Sequence, residues 1–433
     1  LKKIKKIHKE YNKKNLFKSH KDNPLYFSAY ANSLGLILIK SFINTKNSFF
    51  NNLKIILRDF LYSIFFTNFK ILKNKNLIKY NKIILTWSVK NNFALDGSIN
   101  DKYLNINSKK TQNILWFVIY MDKELPDIID KNIIIFQPIN KKKINFFNII
   151  KIFFLNLKYL LTDIKYFLFR ISSYNYFSNF FLDNFKSYIN KDLKNILMLY
   201  EGQPFQNNLV NYVKKKKLNI KISGYVHSPP LALPANYIHK FNSPNKVFLN
   251  GKDQIYCFNK ILGWNKKKLN LINSYRFLEK SIDMKSKIYL PFNIKSEIII
   301  LSSLKYLIQK YRIDFNNFEI KLHPLSKKQI NITKIVKKIK LLIKESSHLK
   351  FNKSMQNFSV FIGASGAMIE ALERGVKVIQ IAESPILDIY SDFIWKSINI
   401  KKINNNIFFY SLKKKGNLIK FGKNTKNYLE FFK

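Results

Sequence analysis

From Asn195 onward the chain alternates short apolar runs with helix-length amphipathic segments, and no other feature restricts the fold as tightly. Asn195-Ile-Leu-Met-Leu-Tyr200 reads as a buried strand, 206–217 as a helix, Ile220–Val226 and Lys246–Leu249 as strands, and 252–262 as a helix. A second series repeats the pattern: strand 288–290, helix 296–311, strand 318–322, helix 327–344, strand 360–362, helix 366–374, strand 376–381. Strands joined through helices pair in parallel with right-handed crossovers. Two such series, divided near 275–287, predict an α/β protein with two Rossmann-like domains facing a cleft. Upstream, the runs 82–87, 115–121 and 132–136 read as further buried strands. The expected division is a basic helical region over 1–78, a first Rossmann-like domain over 79–280, and a second over 281–433.

Composition narrows the function classes. A length of 433 residues exceeds what one core usually holds, and 11 Gly and 11 Pro are too few turn formers for a many-stranded all-β protein. The lone Cys257 excludes a disulfide framework and a Cys-based zinc site. A formal charge of +50 first suggests nucleic acid, because neutralised phosphates release counterions. Yet arginine, the better bidentate phosphate and guanine reader, occurs only at positions 58, 170, 276, 312 and 374, which disfavours a nucleic-acid partner. An anionic membrane surface suits such lysines at least as well, at about 1 kcal/mol per well-placed side chain. Over 144–171 the polar positions Asn148, Lys151, Lys158, Thr162 and Lys165 form one narrow stripe, as on a helix packed against a core or lying in a bilayer interface. No apolar run reaches the length of about 18 residues that spans a membrane.

Nine of the eleven glycines lie at or beyond Gly202, several at predicted strand ends. Open α/β sheets bind ligands at the carboxyl ends of their strands, so the chemistry is expected there. In Val360-Phe-Ile-Gly-Ala-Ser-Gly366 a strand runs into a helix through Gly363, Ala364, Ser365 and Gly366. Free N–H groups, the Ser365 hydroxyl and the positive helix end converge there, as in a phosphate site, although a plain serine N-cap has the same sequence. Glu370, five residues beyond Ser365, stands near enough to the helix start to reach a ribose hydroxyl. Phe318-Glu-Ile-Lys-Leu-His323-Pro324 ends a strand in His-Pro, where proline keeps His323 extended toward the same cleft. Leu199-Tyr-Glu201-Gly202-Gln203-Pro204 puts a scarce glutamate at a strand end, as a general base or as a charge at a helix start. Gly224-Tyr-Val-His227-Ser228 offers a rival base or acceptor-binding group after the next strand. No Asp-x-Asp, His-Glu-x-x-His or Gly-x-Ser-x-Gly occurs, so metal-dependent transfer and serine hydrolysis are disfavoured and no metal or other cofactor is expected.

Taken together, Tyr200-Glu201-Gly202, His323-Pro324 and Ser365 within Gly363-Ala-Ser-Gly366 resemble the acidic-acidic-Gly, His-Pro and Ser-turn motifs of bacterial surface-polysaccharide glycosyltransferases of the GT-B fold, in particular the sialyltransferase and polysialyltransferase-like group. The resemblance covers roughly 195–385, with Tyr200 standing where that group has its first acidic residue. It implies an inverting, metal-independent transfer from a nucleotide sugar, often a CMP-sugar, to a glycan or lipid-linked acceptor. Glu201 would then remove the acceptor proton, while His323 and the Ser365 turn would stabilise the leaving phosphate. Nucleotide-sugar epimerases and CDP-polyol phosphotransferases share this architecture and are the alternative enzymes. A non-enzymatic basic protein binding nucleic acid or membrane is the alternative of another class. The expected location is the inner face of the plasma membrane, held peripherally by the basic N-terminal region and the 144–171 helix.

Overall fold

The computed structural model describes residues 68–139, 173–279, 283–323, 330–351, 358–383, 388–423 and 428–432, less positions 75, 112, 231 and 233, together with Ile150 and Phe154. Residues 1–67, most of the 144–171 segment and Pro324 therefore lie outside the described residues. The first half comprises β1 (Asn68–Lys73), β2 (Lys82–Ser88), a ribbon of β3 (Asn100–Asp101) and β4 (Ile106–Asn107), β5 (Ile114–Tyr120), β6 (Ile133–Ile139) and α1 (Ser173–Phe185). It continues through β7 (Asn195–Leu199), α2 (Pro204–Lys215), β8 (Lys221–Tyr225), β9 (Lys246–Leu249), α3 (Lys252–Tyr256) and β10 (Leu269–Leu271). The second half comprises β11 (Lys287–Tyr289), α4 (Glu297–Tyr311), β12 (Glu319–Lys321), α5 (Ile330–Glu345), β13 (Phe358–Ile362), α6 (Gly366–Glu373), β14 (Lys377–Ile381), β15 (Ile398–Lys402) and β16 (Ile407–Leu412).

These strands make two large sheets, ordered β1-β6-β5-β2-β7-β8-β9-β10 and β12-β11-β13-β14-β16-β15. All neighbours from β6 to β10 are parallel, as are β12 to β14, so both halves are Rossmann-like units of a mixed α/β protein. Among the described residues of these two sheets, antiparallel pairing enters only at β1 with β6 and at β16 with its neighbours. The expected helical reading of 68–73 gives way to a strand, because Ile71 and Leu72 pack into different apolar clusters, as neighbours on a strand do. All seven residues of β5 are buried, as its unbroken apolar run requires of a strand covered on both faces. Among the described residues no helix is long and apolar enough to cross a membrane.

In each sheet the strand order reverses beside the first parallel strand of that half. The chain runs β2, β5, β6 to one side and returns as β7 on the other; it runs β11, β12 and returns as β13. Such reversals open a crevice at the carboxyl ends of the two central strands, where open α/β sheets bind ligands. Glu201 follows β7 and Gly363 follows β13, so each stands at one of the two reversals.

The units are tied by more than the linker over 272–286. One apolar cluster runs from Phe258, Leu262 and Trp264 of the first half to Met368, Tyr390 and Trp395 of the second. The end of the chain then crosses back: Gln254 donates to Leu418 O at 2.9 Å, and Phe431 is buried among Tyr225, Phe248 and Tyr275. The end of the chain thus packs against the first unit. The return is held from behind by Glu373, the last residue of α6, whose buried carboxylate accepts from the amides of Gly416, Leu418 at 2.9 Å and Ile419 at 3.1 Å. Glu373→Ala leaves those amides without their acceptor and is expected to cost about 2–3 kcal/mol. Urea unfolding checks this, with Glu373→Gln, which keeps an acceptor oxygen, losing less.

Candidate functional site

Glu201 projects at the first reversal because the backbone around it is pinned. The Gln206 side chain, in the first turn of α2, accepts from the amides of Glu201 and Gln203 and donates to Leu199 O at 2.6 Å. Tyr200 points the other way, fully buried against Tyr237 and Trp264. A carboxylate at position 200 would be forced into that aromatic core. Gly202 has φ +66°, and a Cβ there would lie 2.1 Å from the Asn236 carbonyl oxygen. The Asn236 amide in turn donates to Glu201 O at 2.5 Å, closing the loop over the strand end.

The Glu201 carboxylate accepts from Gln203 Nε2 at 3.2 Å and stands 3.6 Å from His227 Nε2. Its low-dielectric surroundings raise its pKa, opposed by the Gln203 hydrogen bond and by the charge of Arg276. His227 follows the adjacent parallel strand β8, is buried, and packs edge-on against Tyr103 with ring centroids 4.4 Å apart. Burial, with Arg276 adding, holds its pKa down to about 3, so it is neutral at ordinary pH. Its Nδ1 has no hydrogen-bond partner among the described residues. Tyr103 is delivered by the β3–β4 ribbon, which buried Asp101 fixes by accepting from the Thr86 hydroxyl and from the amides of Tyr103 and Leu104.

On the second unit, the Gly363 turn is held at several points. Gln380 on neighbouring β14 donates to Gly363 O at 2.9 Å, Gly363 N donates to Ile381 O at 2.9 Å, and the Tyr390 hydroxyl donates to Ser365 O at 3.2 Å. Ser365 is the N-cap of α6, its Oγ accepting from Ala367 N at 3.2 Å. The N-cap leaves Ala364, Ser365 and Gly366 partly exposed. Two residues beyond β12, His323 stands edge-on to Phe292 at 5.5 Å. Strand β11 alone separates β12 from β13, so His323 and the Ser365 turn occupy one sheet edge, roughly 10 Å apart by strand spacing. Partial burial, with Arg276 again adding, lowers the His323 pKa.

The two edges meet. A Cβ on Gly366 would touch Pro229 Cδ at 3.6 Å, so the loop carrying His227 and Ser228 abuts the Ser365 turn. Ser228 accepts a hydrogen bond from Arg276. Glu370, expected near a ribose, pairs with Arg374 at 2.8 Å, and Arg374 also donates to Leu278 O in the linker. The start of α4 is closed to an anionic ligand, because buried Glu383 accepts from the amides of Lys295 and Ser296, each at 2.7 Å.

Sequence reading missed Tyr103, Arg276 and Gln380. Arg276 had a usable signal: it is a scarce arginine five residues past a strand, β10. Tyr103 and Gln380 had none, since only the folded sheets bring them to the cleft. Among the described residues no group of three His, Cys, Asp or Glu is arranged to hold a metal ion.

No protein-family model matches the chain, and no curated protein does. Among solved structures, S. aureus MnaA in a co-structure with UDP is similar over 68% of this chain and 76% of that one, at 11% identity and a TM-score of 0.33. An apo structure of OtsA is similar over 64% and 77%, at 10% identity and a TM-score of 0.34.

Proposed function

We propose that the chain is an inverting, metal-independent glycosyltransferase that moves a sugar from a nucleotide sugar, CMP-sugars foremost, to a surface-polysaccharide or lipid-linked glycan acceptor. It would work at the inner face of the plasma membrane, peripherally attached through the basic N-terminal region and the 144–171 segment. One observation carries the reading. A carboxylate follows β7 at the strand-order reversal of one sheet, a serine turn follows β13 at that of the other with the His323 imidazole after nearby β12, and the two loop sets touch where Pro229 meets Gly366. Such a pairing suits a reaction with a proton to remove at one wall and a phosphate to receive at the other.

Glu201 takes the proton of the acceptor hydroxyl as its oxygen bonds to the anomeric carbon. The bond from that carbon to the phosphate oxygen breaks on the opposite side, and its electron pair leaves with the nucleotide. The partly exposed turn at residues 364–366 and the neutral imidazole of His323 donate hydrogen bonds to that developing charge. A thermal-shift series with CMP, CDP, UDP and GDP tests the reading. A ligand present at a hundred times its Kd stabilises by about 2.7 kcal/mol, and CMP is expected to give the largest rise. His323→Ala is expected to retain the melting temperature of the free protein and to lose most of that rise. No shift with any of the four nucleotides would overturn the reading.

A further inference from the structure

Arg276 is exposed at the cleft, and no carboxylate lies within ion-pair reach of it among the described residues. Its guanidinium is nonetheless held in place, 5.4 Å above the Tyr103 ring and 5.2 Å from that of Phe277, with a hydrogen bond to the Ser228 hydroxyl. Its backbone is fixed as well, since Tyr275 N donates to the Tyr225 hydroxyl at 3.0 Å, which carries the linker across the carboxyl end of β8. A cation fixed by stacking keeps its remaining donors for a ligand and loses little entropy on binding one. Its charge acts on Glu201, on His227 and on His323, so it stands among groups from both units. Ser228, its hydrogen-bond partner, is followed by Pro229, which touches Gly366 at the start of α6.

We propose that Arg276 is a phosphate-binding residue of the cleft, gripping the phosphate of the bound nucleotide from the linker side while the Ser365 turn holds it from the other. The proposal deepens the nucleotide-sugar reading by assigning its anion to a residue outside the three motifs, and it makes ligand binding a bridge between the two units. A planar guanidinium can offer two parallel N–H groups to one phosphate, which a lysine cannot.

Isothermal titration of inorganic phosphate and of CMP into the full chain, at constant ionic strength, tests it. Arg276→Gln is expected to weaken both by about tenfold or more, and Arg276→Lys by less, since a point charge survives there. Lys401→Gln, on an exposed position of β15, is expected to leave both unchanged. Should Arg276→Gln fail to fold, Arg276→Lys decides, and phosphate affinity equal to wild type would count against the proposal. Wild-type affinity for phosphate and CMP in Arg276→Gln overturns this proposal and leaves the nucleotide reading standing. Arg276-dependent phosphate binding with no nucleotide binding in the wild type does the reverse.

Discussion

Replacing Glu201 by Gln is expected to lower kcat by about 10²–10⁴, the usual worth of a positioned general base, while leaving nucleotide binding intact. The amide keeps the volume and one acceptor for Gln203 Nε2, so the loop pinned by Gln206 and Asn236 has no reason to move. Stability should not fall. Burial raises the Glu201 pKa, so the native state binds its proton more readily than the unfolded chain does. The stability linked to this group is present below the unfolded pKa and lost as pH rises through the folded one. Wherever the carboxylate is ionised, the neutral glutamine therefore removes a charge that the fold holds at a cost. The same shift places the acid limb of the wild-type kcat/KM profile above the ordinary glutamate range, with activity rising as the carboxylate ionises. Single-turnover rates and melting curves on one purified preparation check both expectations. A variant with wild-type turnover would remove Glu201 from the chemistry.

The second large effect belongs to Gly202. Alanine there is expected to destabilise the protein by about 4 kcal/mol, since a left-handed non-glycine residue and an overpacked contact each cost about 1–3 kcal/mol. A Cβ would lie 2.1 Å from the Asn236 carbonyl oxygen and 2.8 Å from its carbon, so backbone rather than a side-chain tip must yield. Asn236 also donates to Glu201 O, and a displaced loop would misplace the carboxylate as well. Urea unfolding reads the stability loss. Alanine at Gly263, where φ is +81° but nothing lies within 4 Å, separates the conformational share from the steric one.

Much of this architecture was legible in the chain itself, for a physical reason. Strands β2, β5, β7, β9, β13 and β14 are central strands, and short, mostly apolar runs mark such strands locally. Strands β10, β15 and β16 escaped notice because they lie toward sheet edges or reverse direction, and Leu269-Asn-Leu271 carries no apolar run of its own. The site divided along the same line. Glu201, His227, His323 and Ser365 sit at strand ends, a position that sequence pattern finds. Arg276, Tyr103 and Gln380 take part through contacts spanning 17 to 173 residues of chain, as from Gln380 to Gly363 and from Arg276 to Tyr103. Glu370 was legible by its spacing from Ser365, whereas its pairing with Arg374 one helical turn on shows only in the fold.

The return of the chain end has a mechanical consequence. The polypeptide passes between the two units twice, once through 272–286 and again where Asn417 and Leu418 bond Asp253 and Gln254. A lid fastened at two points swings about the line joining them and resists sliding or twisting. Any opening between the two units is therefore expected to rock about that line, with both connections as its pivots.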